Sequence, residues 1–169
     1  MIVLEKKCNK RSLTGFTLME LILVMMIIGI ISAIAIPKVG NFIENSQVES
    51  TKREMRHLVR GFLGDHDEGF YGFKDNIGDL PDELPGGPAL DALFEQGTFS
   101  AYDPFTQLGW NGPYVDTRTV DIGGSPEYDL KYDVWGNAYV YDKDTPSTIT
   151  SNGPDGTAST GDDIVVTIE

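Results

Sequence analysis

The chain has one cysteine, two histidines and half as many basic as acidic residues: 13 Lys and Arg against 26 Asp and Glu, a formal net charge of -13. Each scarcity excludes something. A single thiol, Cys8, builds neither a disulfide framework nor a cysteine metal site. The shortage of cations argues against a nucleic-acid partner, whose phosphate backbone demands a basic face. His57 and His66 have no companion ligands in sequence and read as ordinary surface or core residues. No Ser/His/Asp or Cys/His set stands out, and no phosphate-binding glycine loop is present, so no enzyme is expected. A membrane-anchored enzyme or glycan-binding domain is the remote alternative.

What is present is unevenly distributed. Residues 1–15 carry Lys6, Lys7, Lys10 and Arg11 against Glu5 alone. Residues 61–169 hold 21 acidic and 4 basic side chains. Between these extremes, residues 16–36 form a run of 21 residues that is apolar almost throughout. At about 1.5 Å per residue such a run reaches across a hydrocarbon core. Basic flank, apolar run and acidic remainder predict one membrane crossing, with the basic end in the cytoplasm and the acidic domain outside. A secretory signal peptide would have a shorter core and a cleavage site after it. Cys8 precedes the apolar run, the wrong order for a lipoprotein signal.

One residue in the run is out of place. Glu20 is ionisable, and such a group at mid-bilayer costs roughly 2.5–3.5 kcal/mol. It stands fifth in a segment that begins directly after a glycine: Gly15-Phe16-Thr17-Leu18-Met19-Glu20. This segment resembles the N-terminal signature of type IV prepilins and type II secretion pseudopilins. The resemblance implies that a prepilin peptidase cuts after Gly15 and methylates the new N-terminal Phe16, and that Glu20 serves assembly. It further implies a bacterial inner-membrane protein with its soluble domain in the periplasm, later a subunit of a helical homopolymer. Minor pseudopilins and an inner-membrane assembly platform would be its other partners.

Pro37 is expected to kink rather than end the helix. Beyond it, Met55, Leu58, Val59, Phe62 and Leu63 recur at i, i+3, i+4, i+7, i+8, one apolar stripe on an amphipathic helix. Glu49, Lys52, Arg53, Glu54, Arg56 and Arg60 are assigned to the opposite face, with Glu49 and Arg53 as an i, i+4 pair. The helix should end between Gly61 and Gly64. The predicted organisation is a leader over 1–15, a membrane and assembly half of the stem over 16–37, and an amphipathic half over 38–64. A variable loop region over 65–108 and a β region over 109–169 follow. The expected fold is α+β, a long helix packed on a small antiparallel sheet with a C-terminal acidic loop, which the resemblance implies is the type IV pilin fold.

In residues 65–108 only 89–94 suggest a short helix, and lateral contact between subunits is the expected use of the rest. Three aromatic segments, each expected to give a short strand, follow at Trp110 to Val115, Tyr128 to Tyr132, and Asp133 to Tyr141, the last with Gly136-Asn137 as a turn and 138–141 as its strand. A last strand is expected over 164–168. The segments around Trp110-Asn111-Gly112-Pro113-Tyr114 and Asp133-Val134-Trp135-Gly136-Asn137 are similar to ones in the major pseudopilin, in the same order.

Between Ser151 and Ile164 lie three carboxylates, Asp155, Asp162 and Asp163, among glycines. Hard Ca²⁺ takes about 6–8 oxygen ligands and needs neither His nor Cys. On composition alone a solvated acidic turn competes with a metal loop. The pseudopilin resemblance implies calcium, with side-chain oxygens from Asp155, Asp162 and Asp163 and backbone carbonyls from Asn152 and Thr157. It implies the type II secretion pseudopilus as the destination. A type IV pilus pilin or minor pilin, serving adhesion, motility or DNA uptake, is the alternative.

Overall fold

The computed structural model describes residues 15–82, 89–144 and 146–168, without the side chains of 34–38 and 41. Residues 1–14 of the expected leader, including Cys8, lie outside them. The chain divides into two compact units, Met1–Ile43 and Glu44–Glu169.

Helix α1 spans Leu18–Leu63, 46 residues, and continues through Pro37. Within the first unit its apolar side chains face outward: Leu18, Met25 and Ile31 are all more than half exposed. Among the described residues no helix is long and apolar enough to cross a membrane; the described side chains of the apolar run stop at Ala33.

The second unit begins inside α1. There the stripe behaves as its spacing requires: Met55, Leu58 and Phe62 are fully buried, and Val59 and Leu63 pack partly buried against the same core. Burying one such side chain contributes about 1.5–3 kcal/mol. Glu54 departs from its expected exposed place. It is half-buried and accepts the Tyr139 hydroxyl at 2.9 Å, a contact between residues 85 positions apart. Glu49 pairs with Lys52 at 3.5 Å, rather than with Arg53, among the described residues.

α1 stops at Gly64, whose φ of +82° lies in the left-handed region that ends helices cheaply only with glycine. A tight pairing follows between β1 (Gly64–Asp65) and β2 (Phe70–Tyr71), then the short helix α2 (Phe73–Ile77). Residues 65–108 are therefore not a mere surface loop. Phe73, Leu80, Leu90, Ala92, Leu93 and Phe94 from this region all enter the core, and Ala89–Leu93 forms a 3-10 turn. Phe73 packs edge-on against Phe62, Phe99 and Tyr114.

β3 (Thr119–Ile122) and β4 (Ser125–Tyr128) form an antiparallel hairpin, and a three-stranded antiparallel sheet follows. Its strands are β5 (Val140–Asp142), β6 (Thr148–Ser151) and β7 (Ile164–Thr167), in that spatial order. Ile149, Ile164 and Ile168 carry the sheet's apolar face into the core that Met55, Leu58 and Phe62 share. The α+β class and the helix followed by small antiparallel sheets are thus observed. β1, β2, β3 and β6 were not foreseen; no strand covers Trp110 to Val115, β4 meets the segment Tyr128 to Tyr132 only at Tyr128, and the strand expected over 138–141 begins two residues later.

Candidate functional site

Two places hold the residues singled out above, one in each unit. In the first, Gly15, Phe16 and Thr17 precede α1 without helical hydrogen bonding, and all three are exposed. Thr17 caps the helix: its Oγ1 accepts the Glu20 N–H at 3.2 Å, and its carbonyl accepts the N–H groups of Glu20 and Leu21. Such a cap contributes typically about 1 kcal/mol. Glu20 lies in the first turn, where a carboxylate also meets the positive end of the helix dipole. The Thr-x-x-Glu spacing of a capping box was present in the sequence and escaped notice there.

The second place is the loop between β6 and β7. Four oxygens gather on one hydroxyl, Oγ1 of Thr160. They are Asp162 Oδ1 at 2.6 Å, the Thr157 carbonyl at 2.9 Å, Asp163 Oδ1 at 3.2 Å and Asp155 Oδ1 at 3.5 Å. A hydroxyl donates one proton, so it serves one of these acceptors at a time. Backbone N–H groups supply the rest: Asp155 N donates to Asp162 Oδ2, Thr157 N to Asp155 Oδ1, and Ser159 N to Asp163 Oδ2. The Thr160 hydroxyl first, and the Asp155 N–H after it, hold the Asp162 carboxyl below its ordinary range. Thr160 is the residue that sequence reasoning missed, because a hydroxyl among carboxylates carries no distinct spacing signal.

The expected metal residues are brought together unequally. Asp155, Asp162, Asp163 and the Thr157 carbonyl share the Thr160 hydroxyl. Among the described residues Asn152 makes no hydrogen bond to that cluster, and its side-chain Oδ1 is buried without a hydrogen-bond partner. Among the described residues, no three His, Cys, Asp or Glu side chains converge as a metal-holding group of their own.

The base of the loop is held by the turn between residues 132 and 138. Buried Asp133 accepts the Ser151 hydroxyl at 2.6 Å on Oδ2, and the N–H groups of Trp135 and Asn137 on Oδ1. Ser151 in turn accepts the Gly153 N–H at 3.2 Å. Asn137 Nδ2 donates to the Gly153 carbonyl at 2.8 Å. So the Asp-Val-Trp-Gly-Asn segment acts as a clamp on the start of the acidic loop. A buried carboxylate with three donors is satisfied; with fewer it would be costly. Gly153 is confined as well: its φ is +64°, and a Cβ there would meet Asp162 Oδ2 at 2.7 Å.

The aromatic residues near these segments serve packing. Trp110 Nε1 donates to the Ala92 carbonyl at 2.7 Å, and the Tyr114 hydroxyl accepts the N–H of Asn111 and the side-chain amide of Asn76. Burial pushes the Tyr139 and Tyr141 hydroxyls up, the latter to about 12, so both stay protonated donors.

Comparison with known proteins gives partial matches. The chain is 48% identical over 58 residues to a type IV major fimbrial protein FimA of Dichelobacter nodosus, covering 32% of this chain and 37% of that protein. A second FimA from the same organism is 46% identical over 70 residues, covering 37% of this chain and 44% of its own length. The chain therefore spans less than half the length of these curated relatives. No protein-family profile and no solved structure matches it. Over these stretches the chain is similar to type IV pilins.

Proposed function

We propose that the chain is a filament subunit of the pilin type, cut by prepilin peptidase between Gly15 and Phe16, methylated on Phe16, and polymerised through α1. The observation that carries this reading is the combination at the first unit. An exposed, non-helical Gly15-Phe16 step precedes a helix whose apolar side chains have nothing of their own unit to cover them. Before assembly a bilayer would cover that surface; afterwards, neighbouring helices would. Cutting creates an amine on Phe16 that can neutralise the Glu20 carboxylate of a neighbouring copy. An unpaired charge is strongly penalised among apolar side chains, so the pair favours one axial offset. Intact mass measurement on the membrane form tests the processing: loss of residues 1–15 and gain of one methyl group are expected. An uncut chain in cells with active peptidase would sink the reading.

For the destination, the similarity of the Trp110 to Tyr114 and Asp133 to Asn137 segments to major pseudopilins favours the pseudopilus of a type II secretion system. Its partners there would be minor pseudopilins and the inner-membrane assembly platform. The fimbrial relatives favour a type IV pilus instead. Deleting the chain's gene separates the two: lost protein export marks the pseudopilus, lost surface fibres the pilus.

Calcium belongs to the same proposal. The donors around Thr160 are all hard oxygens, and three carboxylates compete for one hydroxyl proton, which is the shortage a cation would relieve. Asp155, Asp162 and Asp163 would hold the ion with the carbonyls of Asn152 and Thr157. Bound there, Ca²⁺ would neutralise the carboxylates and tie the loop to the sheet. An ion that binds only the folded state stabilises it by about 2.7 kcal/mol at a hundredfold excess over Kd. Melting the full chain in detergent with calcium and with chelator checks this; identical midpoints would remove calcium from the account.

A further inference from the structure

The second unit has a groove unrelated to either site. It lies between the β1–β2 pairing, α2 and the loop over residues 101–111, with a volume of about 570 Å³. That falls inside the roughly 300–1,000 Å³ typical of small-ligand sites. Its walls combine two tyrosines, Tyr71 and Tyr102, with three side-chain amides, Asn76, Gln107 and Asn111, and the pair His66 and Asp75. Tyr71 is 64% exposed.

The loop side of this groove is built firmly. Asp103 N donates to the Leu108 carbonyl, Gln107 N to the Asp103 carbonyl, and Trp110 N to the Ser100 carbonyl, each at 2.8 Å. Gly109 N donates to the Asn76 carbonyl at 2.9 Å and so fastens the loop to α2. Gln107 itself sits at a φ of +59°, a conformation costly for any residue but glycine, so the fold spends energy to hold it there. On the opposite wall, Asp75 Oδ2 accepts the Gly72 N–H and pairs with His66 Nε2, both at 2.9 Å.

These bonds leave the groove's ligand-facing chemistry unspent. Among the described residues, the hydroxyls of Tyr71 and Tyr102, the side-chain amides of Gln107 and Asn111, and Asp75 Oδ1 make no hydrogen bond. They are a mixture of donors and acceptors beside two aromatic faces, without a lysine or arginine. A neutral sugar has the matching surface: a rim of hydroxyls that both donate and accept, and C–H faces whose slight positive charge suits the negative face of an aromatic ring. An acidic glycan or a nucleic acid would meet the Asp75 carboxylate in a strongly acidic unit, where the one basic side chain of the groove, His66, is already paired with Asp75. We propose that this groove binds a neutral oligosaccharide, one sugar ring lying on Tyr71 and its hydroxyls bonded to Gln107, Asn111 and Asp75.

The test uses the full chain in phosphocholine micelles, which carry no sugar headgroups to compete. Neutral hexasaccharides of glucose, mannose and N-acetylglucosamine are titrated and followed by isothermal calorimetry, with hexagalacturonate as the acidic arm. At least one neutral hexasaccharide should bind, and Tyr71→Ala should weaken it by about tenfold or more, as loss of a stacking anchor does. Asn111→Ala should weaken it as well. Both side chains are exposed, so unchanged melting of the variants confirms that they are folded. Absence of binding by every neutral probe at millimolar concentration, binding of hexagalacturonate alone, or binding indifferent to Tyr71→Ala would each overturn the proposal. None of these outcomes bears on cleavage at Gly15.

Discussion

The two units treat their apolar residues in opposite ways. In Glu44–Glu169 the α1 stripe is covered: Met55, Leu58 and Phe62 show no exposed surface, and Val59 and Leu63 are partly buried beside them. In Met1–Ile43 the same helix leaves Leu18, Met19 and Met25 each more than 70% exposed. One helix thus carries a segment that finishes its own burial and a segment that depends on something else for it. Stability should be sensitive to substitution in the first and indifferent in the second. Assembly should show the reverse.

The largest effect on the self-sufficient side is expected from Phe62→Ala, which empties a site bounded by Phe73 and Tyr141. A loss of about 3–5 kcal/mol should appear as a lowered melting midpoint. Asp133→Ala comes next. It strands the Ser151 hydroxyl and two backbone N–H groups, and should cost about 2–3 kcal/mol in denaturant titration. Met25→Ala, in the dependent segment, should shift the same midpoint by less than about 0.5 kcal/mol while lowering filament yield. A large drop in stability from Met25→Ala would erase the distinction between the units.

The smallest effect concerns pH, and two carboxyls bear on it with opposite sign. Burial raises Glu54, opposed by the Tyr139 hydrogen bond and reinforced by the nearby Asp129 and Asp133 charges. Its folded form holds a proton more tightly than its unfolded form. The stability it contributes is therefore full below the ordinary carboxylate range and is lost as pH rises through the raised value. Asp162 is lowered, so its contribution is present above the ordinary range and lost as pH falls through the lowered value. Glu54→Gln should flatten the decline on the high-pH side of a melting-versus-pH curve and leave the acid limb in place.

How much of this was legible in the sequence depended on the range of the interaction. The α1 stripe was readable because burial there follows the 3.6-residue period. So was the helix end, because Gly64 marks it locally. Glu54 defeated the pattern: its partner Tyr139 is distant in sequence, and no local rule places a carboxylate beside it. Phe73, Leu80 and Leu93 were invisible as core because they are dispersed among glycines, prolines and aspartates without a period. β6 has one fully buried apolar residue, Ile149, and so gave no alternating run. At the candidate sites the types and positions of Glu20 and the three loop aspartates could be read directly. The Thr17 cap was legible too, from its Thr-x-x-Glu spacing, whereas the Thr160 hydroxyl and the Asp133 clamp appeared only in the fold, since each depends on where a backbone turns.

The central claim is that the exposed apolar part of α1 assembles through Glu20, the one carboxylate of the apolar run. Electron microscopy of filaments from cells making the Glu20→Ala chain tests it most directly, alongside mass analysis of the membrane fraction. The variant should still be cut after Gly15 and stay in the membrane, while filaments are lost or sharply reduced. Filaments of normal number and length from Glu20→Ala would contradict the account.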